Sequence, residues 1–300
     1  MSTVEKGKVL SVNLSPRPGV KHPVIEIELL RGVGVKGDYH AGTERQVSIF
    51  SVEYLESSPI PPSELRGFVE NITISGISSA KVGDILRVGK AIVKIKFIGK
   101  EEKHSSGRPY MVSRYGWFGD VLKGGVVRVG DEVQKLRTLK IGVVIASDKA
   151  SAGERVDLSG KVIEEKVIEI GGEVKCYAVV PDEIDLLTSK IKEFVDQDCD
   201  IVFTSGGTGW GKRDITPEAT LKVIERAVPG LSEIMRVEGF KKTPFAILSR
   251  GIAGIAGDTL VVNLPGSPKG VSESLDIIMP VLLHGIGVLK GWDKECGKET

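Results

Sequence analysis

The chain has 300 residues, 41% of them hydrophobic and 27% charged, with a formal net charge of +1. That length exceeds what one core usually fills, so two domains are expected, and the composition excludes a disordered chain, a collagen-like chain and a polytopic membrane protein. No apolar stretch reaches the roughly 18 residues of a membrane span, and three cysteines without CxxC spacing point to a cytoplasmic protein without a disulfide framework or structural zinc.

Residues 1–137 hold 21 Lys+Arg against 15 Asp+Glu, a net of +6, whereas residues 138–300 hold 20 against 25, a net of −5. The first half is the more natural host for an anion on net charge alone. Only 5% of residues are aromatic, and no basic run alternates with them. Nucleic-acid stacking platforms are therefore not expected.

The first half, taken as residues 1–137, reads as β-rich. Alternating runs such as residues 92–98 are bounded by Gly-Asp turns at Gly83-Asp84 and Gly130-Asp131, a spacing that suits a barrel. Short helices are expected only over 52–57 and 63–68, with Pro59, Pro61 and Pro62 forcing extended chain between them. A glycine-rich segment then carries Asp38, His40, Arg45 and Gln46. On extended backbone Asp38 and His40 share a face, which suits a metal pair, an acid–base pair or a structural hydrogen bond. Glu70-Asn71 and Lys103-His104 follow.

These segments, above all Gly37-Asp38-Tyr39-His40-Ala41-Gly42 with Arg45-Gln46-Val47, resemble the MOSC domain over about residues 4–136. The resemblance implies a β-barrel linked to molybdenum-cofactor binding and sulfur transfer, with a pocket at Asp38, His40, Arg45, Lys103 and His104. Many such domains place a cysteine before the residue that matches His104. Here Lys103 stands there, and residues 1–137 contain no cysteine. Persulfide chemistry needs that sulfur, so binding of an anionic pterin is the expectation and sulfur transfer an alternative.

From Leu139 the pattern changes. The continuous apolar run at 141–146 reads as a strand buried on both faces. Helices at 158–170 and 184–195 alternate with strands at 173–180 and 200–204, as βαβ units with a mostly parallel sheet would. Thr204-Ser205-Gly206-Gly207-Thr208-Gly209 falls at the C-terminal end of one strand, where open α/β sheets bind ligands. Glycines there let successive N–H groups face phosphate oxygens. The spacing is neither the Walker pattern nor GxGxxG, and a plain tight turn also satisfies it.

Arg213-Asp214-Ile215-Thr216-Pro217-Glu218 comes next, with Thr216 expected as a helix N-cap and Pro217 at the first helical position. Asp214 sits beside the loop, either as a functional carboxylate or as a cap paired with Arg213. Asp182, after the 173–180 strand, reaches the same sheet edge or caps the next helix. Two carboxylates beside a phosphate cradle are what Mg²⁺ with bound polyphosphate requires. Leu264-Pro265-Gly266-Ser267-Pro268 supplies a second backbone wall ahead of a helix. Ser249-Arg250-Gly251 adds a polar rim, with Arg250 and Lys269 otherwise solvated charges.

Together with Ser147-Asp148 after the first strand, these motifs resemble the molybdopterin adenylyltransferase family, including its molybdenum-cofactor protein B branch, over residues 140–291. The resemblance implies a homotrimer of three-layer α/β/α domains that activates molybdopterin with ATP and Mg²⁺. Its two functional aspartates, catalytic and metal-binding, fall on Asp182 and Asp214. Nucleotide and pterin contacts fall on Ser147, Asp148, Ser205, Gly206, Gly207, Thr208, Gly209, Ser249, Arg250, Pro265, Gly266 and Ser267. Cys176 and Cys199 read as small apolar residues without a role. The overall expectation is a multi-domain protein, 1–137 and 138–300, in which a barrel binds the pterin and an α/β domain adenylylates it. A non-catalytic cofactor carrier or scaffold is the alternative of a different class.

Overall fold

Apolar residues in short runs, separated by glycine turns, make the first half a set of short strands around an apolar core. The computed structural model describes residues 5–19, 21–57, 69–99, 112 and 115–292. The chain divides into two compact units between Thr138 and Leu139.

The first unit contains β1 (Lys6–Leu14), β2 (His22–Pro23), β3 (Glu26–Leu30), β4 (Gly34–Val35), β5 (Val47–Ser51), α1 (Glu53–Ser57), β6 (Ile72–Ser75), β7 (Ile85–Val88), β8 (Ala91–Ile98), β9 (Trp117–Lys123), β10 (Gly125–Arg128) and β11 (Glu132–Leu136). Eight strands run in the order β11-β7-β8-β9-β5-β6-β1-β2, and a β11–β1 pairing closes the barrel. β5 and β6 pair in parallel; β10, β3 and β4 form a small separate sheet. Val9, Val12, Ile49, Ile72, Ile74, Val93, Trp117 and Val133 fill the interior, each almost wholly buried. The helix expected over 63–68 and the residues Lys103 and His104 lie outside the described residues.

The second unit contains β12 (Leu139–Ala146), α2 (Asp148–Ser151), α3 (Ser159–Val167), β13 (Gly172–Val180), α4 (Ile184–Asp196), β14 (Ile201–Ser205), α5 (Thr216–Leu221), β15 (Arg226–Ala227), α6 (Pro229–Phe240), β16 (Ala253–Ala256), β17 (Thr259–Leu264) and α7 (Pro268–Leu289). Its six-stranded sheet runs β13-β12-β14-β17-β16-β15. The pairs β12–β13, β12–β14 and β14–β17 are parallel, and β16 and β15 join antiparallel.

Side chains of β12 and β14 alternate between two cores. Ile141, Val143, Ile145, Ile201 and Phe203 join α3 and α7 on one face. Val144, Ala146 and Val202 join α4 on the other. Burial on both faces is what the continuous apolar runs require. Register aligns Ala146 with Val180, Ile145 with Ser205, and Ser205 with Leu264. Four parallel strands therefore end together, and the loops after them share one edge.

Two expectations need correction. Thr216 is not the N-cap of α5: Ile215 takes that position without a side-chain cap. The Thr216 hydroxyl is buried and donates to the Gly206 carbonyl at 2.8 Å, because its neighbour in space is the glycine loop. Likewise, α7 has the length and hydropathy of a membrane-crossing helix, although charged residues interrupt its sequence. Its face of Val271, Leu275, Ile278, Leu282 and Ile286 is packed into the core of the second unit. That burial accounts for the apolarity.

Candidate active site

The edge where β12, β13, β14 and β17 end is lined by backbone. Gly206 and Gly207 adopt φ values of +96° and +61°, a region that L side chains avoid. A Cβ on Gly206 would lie 2.4 Å from the Ala146 carbonyl oxygen, and one on Gly207 would lie 2.4 Å from Thr216 Oγ1. Glycine is thus required twice, by torsion and by space. Gly266 brings the second wall against the first: its Cβ would stand 3.1 Å from the Gly206 Cα.

Side chains fix these walls from behind. Ser205 donates to the Pro265 carbonyl at 2.8 Å and Ser159 to the Gly266 carbonyl at 2.9 Å. Ser267 caps α7 by accepting from Gly270 N–H at 3.1 Å. Arg250 is no solvated charge. Its backbone N–H donates to the Thr208 carbonyl at 2.9 Å, its Nε to the Gly209 carbonyl at 2.7 Å, and its Nη atoms to the Asp214 carbonyl and Glu218. One guanidinium ties the glycine loop to the start of α5. Ser249 lies beside it and accepts from Gly251 N–H at 3.2 Å.

The carboxylates sit on this frame. Asp148 and Asp182 are joined reciprocally: Asp182 N–H donates to Asp148 Oδ1 at 3.0 Å, and Asp148 N–H to Asp182 Oδ2 at 3.1 Å. Arg213 forks onto Asp148, with Nε to Oδ2 at 2.7 Å and Nη2 to Oδ1 at 2.6 Å. The sequence offered Asp214 as its partner instead. Asp214 Oδ2 accepts from Gly211 N–H at 2.7 Å and lies 2.9 Å from where a Gly209 Cβ would be. Asp182 Oδ1 lies 3.4 Å from the corresponding point on Gly207. Both carboxylates therefore border the loop, and neither is the N-cap of the helix that follows it. Ser147, also singled out from sequence, caps α2 by accepting from Ala150 N–H.

Electrostatics separates the two joined aspartates. The Arg213 contact, with the Asp182 N–H, holds Asp148 below the usual carboxylate range. Burial pushes Asp182 up, and the charges of Asp148 and Asp214 push the same way against the Asp148 N–H. A carboxyl held up by neighbouring negative charge is one that a cation would relieve. No group of three or more acidic, histidine or cysteine side chains suited to a metal occurs among the described residues. Two carboxylates fit a hard cation that arrives with phosphate and water ligands of its own.

Two cavities flank the 265–267 wall. One, of about 340 Å³, lies between Ser147, Arg155, Ser159, Gly206 and Ser267. The other, of about 310 Å³, is bounded by Thr208, Arg236, Phe245, Ser249, Asn263 and Ser267. Sequence reasoning missed Arg155, Ser159, Arg236 and Asn263, since only the fold brings them to this edge. Asn263 had the one local signal, a polar residue inside a buried strand. Its amide donates to Thr204 at 2.9 Å and Thr220 at 2.8 Å.

In the first unit Asp38 is not paired with the His40 ring. The segment is a turn rather than extended chain, so Asp38 Oδ1 accepts the His40 backbone N–H at 3.1 Å. Its Oδ2 accepts from Lys21 Nζ at 2.6 Å and Asn71 Nδ2 at 3.0 Å. Asp38 and Lys21 are both buried, so the carboxylate is a structural anchor. His40 is half-buried, and exposed Arg45 lies 5.2 Å over the Phe118 ring.

Comparison with known proteins bears on the second unit. The model of the family described as "Probable molybdopterin binding domain" matches residues 126–284. A molybdopterin adenylyltransferase of Helicobacter pylori is 43% identical over 159 residues, covering 52% of this chain and 90% of that protein. Its Escherichia coli K12 counterpart is 38% identical, covering 50% and 81%. The crystal structure of the Thermus thermophilus molybdopterin biosynthesis enzyme MoaB is 44% identical, with a TM-score of 0.50, covering 52% of this chain and all of that one. The glycine loop, the joined aspartates and the 265–267 wall all lie inside the matched residues, and on that ground the chain belongs to the "Probable molybdopterin binding domain" family.

Proposed function

We propose that the second unit is a nucleotidyltransferase that adenylylates molybdopterin with ATP. The observation that carries this reading is the placement of Asp182 and Asp214 against a glycine loop whose two left-handed residues admit no side chain. In the reaction a phosphate oxygen of molybdopterin attacks the α-phosphate of ATP, and the bond to the leaving pyrophosphate breaks. No protein nucleophile is needed, so positioning and charge neutralisation supply the rate.

Backbone N–H groups of residues 207–209 hold phosphate, while Arg250 keeps that loop in place. The cavities on either side of the 265–267 wall give two substrates separate seats with the reacting phosphates between them. Asp182 and Asp214 would hold Mg²⁺, which neutralises the triphosphate when bound. The test is pyrophosphate release from ATP, which should require molybdopterin. ATP turnover without molybdopterin, or none with it, refutes the reading.

The barrel is proposed to bind the pterin or its cofactor form as a MOSC-like domain. The turn anchored by Asp38 presents His40 and Arg45, a cation and a titratable ring suited to an anionic ligand. The second unit is further proposed to form a homotrimer. Exposed Ile234, Val237, Phe240, Phe245 and Ile247 on α6 and the turn after it support burial against another chain. Residues 138–300 expressed alone should then keep the oligomeric state of the whole chain by light scattering. A monomeric fragment beside an oligomeric full-length protein counts against it.

A further inference from the structure

Two acidic side chains and one arginine meet beyond the ends of β12 and β13, and their bonds are not equivalent. Asp182 has one oxygen tied, Oδ2 to the Asp148 N–H. Its other oxygen faces Gly207. Asp148 has both oxygens engaged, one by Asp182 N–H and Arg213 Nη2, the other by Arg213 Nε. Arg213 thus does not touch Asp182 in this arrangement; it holds the residue that does.

We propose that Arg213 is a positioning residue for adenylyl transfer, acting through Asp148 to aim the free oxygen of Asp182 at the glycine loop. The inference rests on the nucleotidyltransferase reading of the same site. Two carboxylates bridged by their own backbone N–H groups repel each other, and the pair stays closed only if a cation offsets one of them. A fork of two parallel N–H···O bonds fixes Asp148 in angle as well as distance. Lysine would supply the charge but not the fork.

Arg213 and Asp148 are largely exposed at the side chain, 61% and 44%. Such a pair adds little to global stability. Its effect is instead on aim, and a misplacement of about 1 Å at a reacting centre can cost on the order of a hundredfold in rate. The same exposure makes substitution tolerable to the fold.

The test is a double-mutant cycle on the full-length protein with a non-kinetic readout. Arg213→Gln should lower kcat for molybdopterin adenylylation by roughly 10- to 100-fold with a smaller change in KM. In an Asp148→Ala background the same change should cost less than about twofold, because the relay is already cut. Arg213→Lys should recover only part of the loss. Hydrogen-exchange mass spectrometry on a peptide spanning Asp182 should show faster exchange in Arg213→Gln, as the reciprocal amide bond opens.

An undiminished Arg213→Gln effect in the Asp148→Ala background would mean that the guanidinium acts on substrate directly, and the proposal fails. Unchanged exchange at Asp182 overturns it as well. If wild-type protein releases no pyrophosphate with molybdopterin, the functional reading fails by itself. The exchange experiment still decides whether Arg213 holds Asp182 in place.

Discussion

Asp214→Asn should lower adenylyl-transfer turnover by roughly a hundredfold or more while leaving the melting temperature nearly unchanged. Asparagine keeps an oxygen that can accept the Gly211 N–H, now at 2.7 Å from Asp214 Oδ2. The turn before α5 should therefore survive. What is lost is the negative charge beside Gly209, where a cation on the triphosphate needs it. Asp182→Asn should behave the same way, since its carboxamide oxygen can still accept the Asp148 N–H. A structural role predicts the reverse, with a lower melting point and near-normal activity in the folded fraction. Full activity in either stable variant would remove that residue from the catalytic set.

Much of this site was legible in the chain because it is built from backbone. The apolar run at 141–146, the glycines after Ser205 and the Pro265-Gly266 turn each carry their conformation in local sequence, by burial on two faces, by positive φ and by fixed φ. Their meeting at one edge follows from parallel register, which βαβ spacing implies. Side-chain partners were less legible. Thr216 has the residue type and position of an N-cap, yet its hydroxyl donates to the Gly206 carbonyl. Arg213 precedes Asp214 in sequence but reaches Asp148, 65 residues away. Such choices are set by tertiary distance, which spacing along the chain does not encode.

Net charge carries less information than local geometry. The first half carries the positive balance and the second the negative one, and the glycine loop proposed to hold phosphate lies in the second. A binding site answers to the few charges within a Debye length, not to the sum over a domain. Around the loop Arg213, Arg236 and Arg250 are each committed to protein acceptors, and Arg155 lines the neighbouring cavity. On the proposed reading Arg155 and the backbone N–H groups are the anion donors, so substrate binding would depend on the glycine torsions as well as on that charge.

In the barrel, Asp38→Ala should destabilise the first unit by about 3–5 kcal/mol, the usual cost of leaving one member of a buried ion pair without its partner. Lys21 is nearly sealed from solvent, with 6% of its side chain exposed against none for Asp38. The lost carboxylate also releases Ser15 N–H, His40 N–H and the Asn71 amide. Burial alone would raise the Asp38 carboxyl, but Lys21 and the His40 and Ser15 amides outweigh it and hold it below its ordinary 3.8. Its folded pKa being depressed, the stabilisation is full above the ordinary value and is lost as pH falls through the lower folded one. Adding Lys21→Met to Asp38→Ala should return part of the loss, because the stranded ammonium is then gone. Denaturant unfolding of the two variants beside wild type measures both effects. A single variant that unfolds at the wild-type midpoint would show that Asp38 is not the anchor of the turn and would return it to the candidates for ligand contact.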